Sequence, residues 1–161
     1  MFIEKKEKEI DVEKIYVKPH KIVSREVTEK NLPIVKKDCE LLHTLCFMRR
    51  GPIPSAYAIA HPQIRKKSLR FFVTKKGELI VNPEIIRHTK QIIKKMEGCL
   101  TFPLEPMVEV DRWHKCEVDY QTVEDDKLTE IRTKNLSGTE AEVWQHEIDH
   151  LDAIYIYDKK S

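Results

Sequence analysis

The stretch from Ser137 to Leu151 constrains this chain more than any other. Ser137 and Glu140 stand in the S-x-x-E relation of a capping box, and residues 141–151 contain no helix breaker, so the spacing predicts a helix that closes the chain. Within it runs His146-Glu147-Ile148-Asp149-His150. Two histidines four residues apart lie about 40° apart around an α-helix, so both rings reach one point. Glu147 sits on the flank between them, close enough to act on a water at the same ion. This is the arrangement in which two neutral imidazoles bind a metal and the glutamate serves as general base. The alternative is a solvated charged helix that carries the pattern by accident. A capped helix with both histidines on one face argues against it.

A catalytic site of this kind takes three protein ligands and leaves a position open for water. Thermolysin-like proteases draw the third ligand from a downstream Glu, and metzincins from a His six residues on. Only 11 residues follow His150 here, none of them His, Glu or Cys, so the third ligand is expected upstream. Asp152 and Asp158 remain formally available, although Asp152 points away around the helix. Four cysteines stand upstream: Cys39, Cys46, Cys99 and Cys116. Cys99 stands out because it follows Gly98, which lets backbone come close to an ion and leaves the next N–H free to point inward. Cys116 shares a WHKC segment with His114 and reads better as a buried core thiol. Cys39, His43 and Cys46 share a helix face with Leu42, and small hydrophobic packing is the simpler account there.

Composition narrows the rest. The chain has 161 residues, 29 basic and 27 acidic, with 40% hydrophobic side chains. That is enough for one buried core, and a single domain over residues 1–161 is expected. Charges of both signs are interleaved and nearly cancel, which argues against nucleic-acid binding through a broad basic field. No apolar run approaches the roughly 20 residues of a membrane span. No leader is evident in the acidic N-terminus, and the cysteines form no CxxC pair, so a reduced, cytoplasmic location is expected. The four glycines, Gly51, Gly77, Gly98 and Gly138, are too scattered for any phosphate-binding glycine loop.

Along the chain, the first 30 residues alternate weakly and suggest an edge strand with a surface loop. Asn31 and Pro33 mark a helix start, and Leu41, Leu42, Leu45, Cys46 and Met48 continue its apolar stripe until Gly51, Pro52 and Pro54. Strands are expected at residues 69–73 and 78–81 around a Lys75-Lys76-Gly77 turn, and again at 107–110, 116–123 and 128–133, the last two joined across Glu124-Asp125-Asp126. Helix, many strands, helix is an α+β order: antiparallel or mixed sheets around a central HExxH helix, with one N-terminal helix.

Three motifs together resemble the peptide deformylases. Glu97-Gly98-Cys99-Leu100-Thr101 resembles the family's EGCLS, and Gln145–Leu151, QHEIDHL, resembles its QHExDHL. Ala56-Tyr57-Ala58-Ile59-Ala60-His61-Pro62-Gln63 resembles G-x-G-L-A-A-P-Q. The resemblance runs from about Ser55 onward. It implies a metal-dependent hydrolase that removes the formyl group from N-formylmethionine of nascent chains. Cys99, His146 and His150 would hold one divalent metal, ferrous iron by preference, with Ni2+, Co2+ or Zn2+ able to replace it. Glu147 would be the general acid/base, and Gln63 with the Leu100 N–H would stabilise the oxyanion. Ala58, Ile59 and Gly98 would border the substrate, and Arg112 would pair with Glu97. N-formylmethionyl peptides are the implied partners, with transient ribosome association but no direct nucleic-acid contact and no membrane.

The chain departs from the family pattern where Ala56 and Ala58 stand in place of glycine, His61 in place of alanine, Thr101 in place of serine and Ala153 in place of glycine. An added Cβ on the substrate strand would narrow the groove, and His61 reads as a packing or solvent residue rather than a ligand. A non-catalytic, deformylase-like metal or peptide-binding protein with an altered groove is therefore the second reading.

Overall fold

The structure, a computed structural model, describes residues 10–159. Residues 1–9, part of the expected edge strand, lie outside them. In the rest of that segment no strand forms. A single helical turn, α1 (Val12–Ile15), is followed by extended chain that meets the body of the protein at one parallel bridge, Arg25 to Leu69. The bridge rests on two backbone hydrogen bonds, Arg25 N–H to Ser68 C=O and Arg70 N–H to Arg25 C=O.

The first long helix, α2 (Leu32–Leu45), starts where Asn31 and Pro33 predict, with the proline in its first turn. It buries Leu32, Val35, Asp38, Leu42 and Leu45 on one stripe. Its regular hydrogen bonding stops at Leu45, before Gly51 takes a left-handed φ of +58° that glycine accepts without strain.

Among the described residues nine strands follow: β1 (Ala58–Ala60), β2 (Phe71–Thr74), β3 (Leu79–His88), β4 (Ile92–Glu97), β5 (Val108–Trp113), β6 (Lys115–Gln121), β7 (Val123–Glu124), β8 (Lys127–Leu128) and β9 (Arg132–Ser137). All pairs are antiparallel. Five strands make one sheet in the order β1-β2-β3-β6-β9, β4 with β5 forms a separate ribbon, and β7 with β8 a small hairpin. The expected strand at 128–133 is divided, because residues 129–131 leave the ladder between β8 and β9. Strand β4 was not foreseen: Ile-Ile-Lys-Lys-Met-Glu lacks the period-2 alternation of a half-buried strand and is largely exposed.

The closing helix is α3 (Gly138–Leu151). Its predicted capping box does not form: Ser137 makes no side-chain cap, and the Glu140 carboxylate pairs with Lys134 at 3.2 Å instead. Gly138, at φ +60°, turns the chain directly from β9 into the helix. At the other end, Ile154 N–H bonds Asp149 C=O and Ala153 N–H bonds His150 C=O. That is a Schellman closure with Ala153 in the left-handed conformation, φ +58°.

The helices sandwich the start of the sheet. Ile59, Phe71, Val73 and Val81 join Val35, Leu42 and Leu45 in one core cluster, whereas Ala58, Ala60, Phe72 and Ile80 join Trp144, Ile148 and Leu151 in the other. Successive side chains of β1 and β2 thus alternate between α2 and α3, and both strands are buried on both faces. Gln145 ties α3 to β5, its amide accepting from Trp113 N–H and donating to Trp113 C=O, both at 2.9 Å.

Candidate metal centre

His146 and His150 point from α3 toward the loop that follows β4, which carries Cys99. Nε2 of the two histidines lie 3.1 Å apart, and Cys99 Sγ lies 3.3 Å from His150 Nε2. The three donor atoms fall within 4.8 Å of one another, the one such group of three among the described residues. Around a four-coordinate ion with ligands at about 2.0–2.3 Å, neighbouring donors sit roughly 3.3–3.7 Å apart, so the cluster has the right size for one cation. The tautomer of His146 agrees with this. His146 Nδ1 is 2.7 Å from Glu97 Oε1, so it carries the proton and leaves the Nε2 lone pair facing the cluster. Burial pushes the Cys99 thiol up, but His150 and His146 beside it bring its pKa well below the ordinary thiol value. A soft thiolate with two imidazoles suits a divalent transition metal and not Mg2+ or Ca2+.

Glu147 is 4% exposed, and its Oε2 has no hydrogen-bond partner. Burial raises its pKa to about 7, against the lowering pull of both histidines. A buried carboxylate oxygen with no partner is costly unless something else meets it, and this one borders a cleft. The cleft encloses about 690 Å³ and is lined mostly by apolar groups, among them Ile53, Ala58, Leu100, Leu104, Met107 and Val143, with Glu147 and His146 at its floor.

Gln63 sits in a 3₁₀ turn (His61–Gln63) directly after β1. Its Oε1 accepts from Ala60 N–H at 2.9 Å, which turns Nε2 toward Thr101 Oγ, at 3.1 Å, and Cys99 Sγ, at 3.8 Å. Among the described residues, the Leu100 N–H has no acceptor. Gly98 needs no special backbone: a Cβ there would meet only Met107 Cγ at 3.5 Å, an ordinary contact, though it would also enter the cleft that Gly98 lines. Ala58 borders the cleft, and Ile59 belongs to the α2-side core instead. Ala56 also lines the cleft while packing partly against that same core.

Behind the donors lies a charged layer. Arg112, on β5, holds both Glu97 carboxylate oxygens at 2.8 Å and reaches Asp149 Oδ2 at 2.5 Å. Burial would raise the Glu97 pKa, but Arg112 and His146 hold it down to about 2. Sequence reasoning did not find Asp149 in this role, although it lies within the HEIDH segment itself. It also missed Arg50, whose guanidinium donates to Leu100 C=O at 2.5 Å, lies 4.4 Å over the Tyr16 ring and pairs with Glu13. No motif marks Arg50; only the folded loop brings it there. Asp152 pairs with Arg70, and Asp158 with Lys21, away from the cluster. Cys46 and Cys116 are buried thiols whose pKa values burial raises to about 12 and about 11, and His43 Nε2 lies 3.1 Å from Lys75 C=O.

An α+β frame whose HExxH helix meets a buried cysteine beside an apolar cleft defines a class: proteins with a Cys/His2 cluster that could hold one metal ion. The family model for polypeptide deformylase matches residues 12–161, and the chain belongs to that family, which is metal-dependent. A peptide deformylase from Thermotoga petrophila is 38% identical over 106 residues, 64% of this chain and 61% of that protein. The matched segment thus spans about three fifths of that relative's length. The crystal structure of peptide deformylase from Thermotoga maritima superposes with a TM-score of 0.73 at 31% identity, over 88% of this chain and 90% of that one. A class I type b peptide deformylase from Acinetobacter baumannii, at 24% identity, shares the fold with a TM-score of 0.75 over 90% of this chain and 97% of its own.

Proposed function

We propose that this protein hydrolyses the formamide of N-formylmethionyl peptides, releasing formate and a free amino terminus. The observation that carries the reading is the convergence of Cys99, His146 and His150 within 4.8 Å beside the partnerless Glu147 Oε2. Cys99 Sγ and the two Nε2 atoms would hold one divalent cation, ferrous iron as the resemblance to the peptide deformylases implies, with nickel, cobalt or zinc as substitutes, since a mixed thiolate and imidazole set accepts all four. When bound, the cation would supply Lewis acidity, polarising the formyl carbonyl and lowering the pKa of water.

The remaining chemistry belongs to the chain. Glu147, with its pKa raised by burial to about 7, takes a proton from the attacking water and gives it to the departing amine. The formyl oxygen gains negative charge as the carbon becomes tetrahedral. Gln63 Nε2 and the Leu100 N–H donate to it, and such preset donors are each worth roughly a hundredfold or more in rate. The peptide lies along β1 near Ala58, and the apolar cleft excludes water and takes the methionine side chain. Glu97, fixed by Arg112, orients His146.

No helix among the described residues is long and apolar enough to cross a membrane. We place the activity in the cytoplasm, on chains leaving the ribosome with which the protein associates transiently.

The test is formate release from formyl-Met-Ala peptides by anaerobically purified, nickel- or iron-loaded protein. Wild type should turn over, and Glu147→Ala should retain the metal and lose at least about a thousandfold in kcat. Metal-loaded wild type that releases no formate would sink the reading.

A further inference from the structure

His61 occupies the first position of the turn that presents Gln63, where the family motif has alanine, and it is 1% exposed. Its ring is held from three sides. Nδ1 accepts from Leu69 N–H at 2.8 Å, which places the ring proton on Nε2. That proton faces Asp38 Oδ2 at 2.8 Å, and the ring stacks on Phe71 with centroids 4.5 Å apart. Burial lowers the His61 pKa, in keeping with a neutral ring that donates through Nε2. Asp38 stands on the otherwise apolar stripe of α2, where a lone carboxylate would be costly. It accepts from His61 on one side and from Arg65 Nε and the Arg65 terminal NH2 group, at 3.2 and 3.1 Å, on the other.

Each of these contacts fixes the turn. The His61 carbonyl accepts from both Ile64 and Arg65 N–H, so the residue whose side chain is locked to α2 and β2 also closes the turn that carries Gln63. Arg65, which completes the charge balance of Asp38, leaves the same turn two residues later. Gln63 links this network to the cation cluster, its Nε2 facing Thr101 and Cys99.

We infer that His61, with Asp38, is a positioning residue for the Gln63 amide: an imidazole–carboxylate tether that holds the oxyanion donor at the height of the cluster. The inference rests on the deformylase reading of the site for its kinetic consequence, but not for its geometry. A tether of this kind acts in the transition state, where the donor's placement matters, and leaves ground-state peptide binding nearly untouched.

The experiment is a double-mutant cycle on nickel-loaded protein with wild type, His61→Ala, Gln63→Ala and the double variant, assayed for formate release. It is joined to 15N–1H spectra of the Gln63 side-chain NH2 on zinc-loaded protein, whose ion is diamagnetic, with the signals assigned by their loss in Gln63→Ala. His61→Ala should lower kcat about tenfold with KM changed less than about twofold, and in the Gln63→Ala background it should change kcat less than about twofold. The Gln63 NH2 signals should move toward the positions of exposed glutamines. His61→Gln, which keeps a donor toward Asp38 through its own Nε2, should restore most of the loss, and it replaces His61→Ala in the cycle if the alanine variant does not fold. Equal kcat losses in both backgrounds, or unmoved Gln63 NH2 signals in a folded variant, overturn the inference. A wild type that releases no formate sinks the deformylase reading alone, because the NH2 signals still decide the tether.

Discussion

Arg112 is 2% exposed, yet it is charged, and three of its nitrogens are spent on two carboxylates. A guanidinium fork matches Glu97 with two parallel bonds, and the third contact reaches Asp149, one residue before His150. The arginine therefore sets the loop that carries Cys99 against the helix that carries both histidines. Removing one partner of such a buried network leaves uncompensated charge. Arg112→Met is expected to lower the unfolding free energy by about 3–5 kcal/mol, measured by guanidinium denaturation, and to weaken metal retention. A loss under 1 kcal/mol would show that the ion pairs contribute little. At this scale the sequence was legible where spacing carries the information: two histidines four apart on a helix must converge. Asp149, Arg50, Asp38 and Thr101 were not legible, because each meets its partner through chain that is distant in sequence.

The elements follow the same division. Strands β2, β3, β5 and β6 and both long helices were visible from apolar periodicity and breakers, although the boundaries moved. The capping box at Ser137 failed because an ion pair with Lys134 competes for Glu140, a choice that depends on β9 lying alongside. Strand β4 was hidden because its ribbon is solvated and has no face pattern. The end of α3 carries a local conflict. Ala153 holds a left-handed φ of +58° that costs an L-residue about 1–2 kcal/mol, in a Schellman closure that favours glycine. Ala153→Gly relieves that strain and loosens the unfolded chain, two opposed terms of which the strain is larger. We expect a net gain of about 0.5–1 kcal/mol in thermal or denaturant unfolding, with kcat unchanged; a destabilised variant would contradict the assigned strain.

Across the whole molecule, the candidate site joins three segments far apart in sequence: the turn after β1, the loop after β4 and α3. A cation shared by Cys99 and the α3 histidines would cross-link two of them, so binding would add to folding stability through linkage. Chelation followed by dialysis should lower the melting temperature by several degrees, and added nickel should restore it. Cys99→Ser should shrink that difference sharply, and a melting temperature indifferent to metal would argue that the three side chains do not share an ion. The sequence by itself determined the α+β order, the HExxH helix and the motifs that mark the family. These are local facts, fixed by periodicity, breakers and spacing within a few turns of chain. Only the tertiary structure decided which side chains stand behind the donors: Arg112 between Glu97 and Asp149, Arg50 on the Leu100 carbonyl, and His61 tied to Asp38. A hydrogen bond or ion pair between residues dozens of positions apart depends on how sheet and helices pack, and no short-range pattern in the chain encodes that distance.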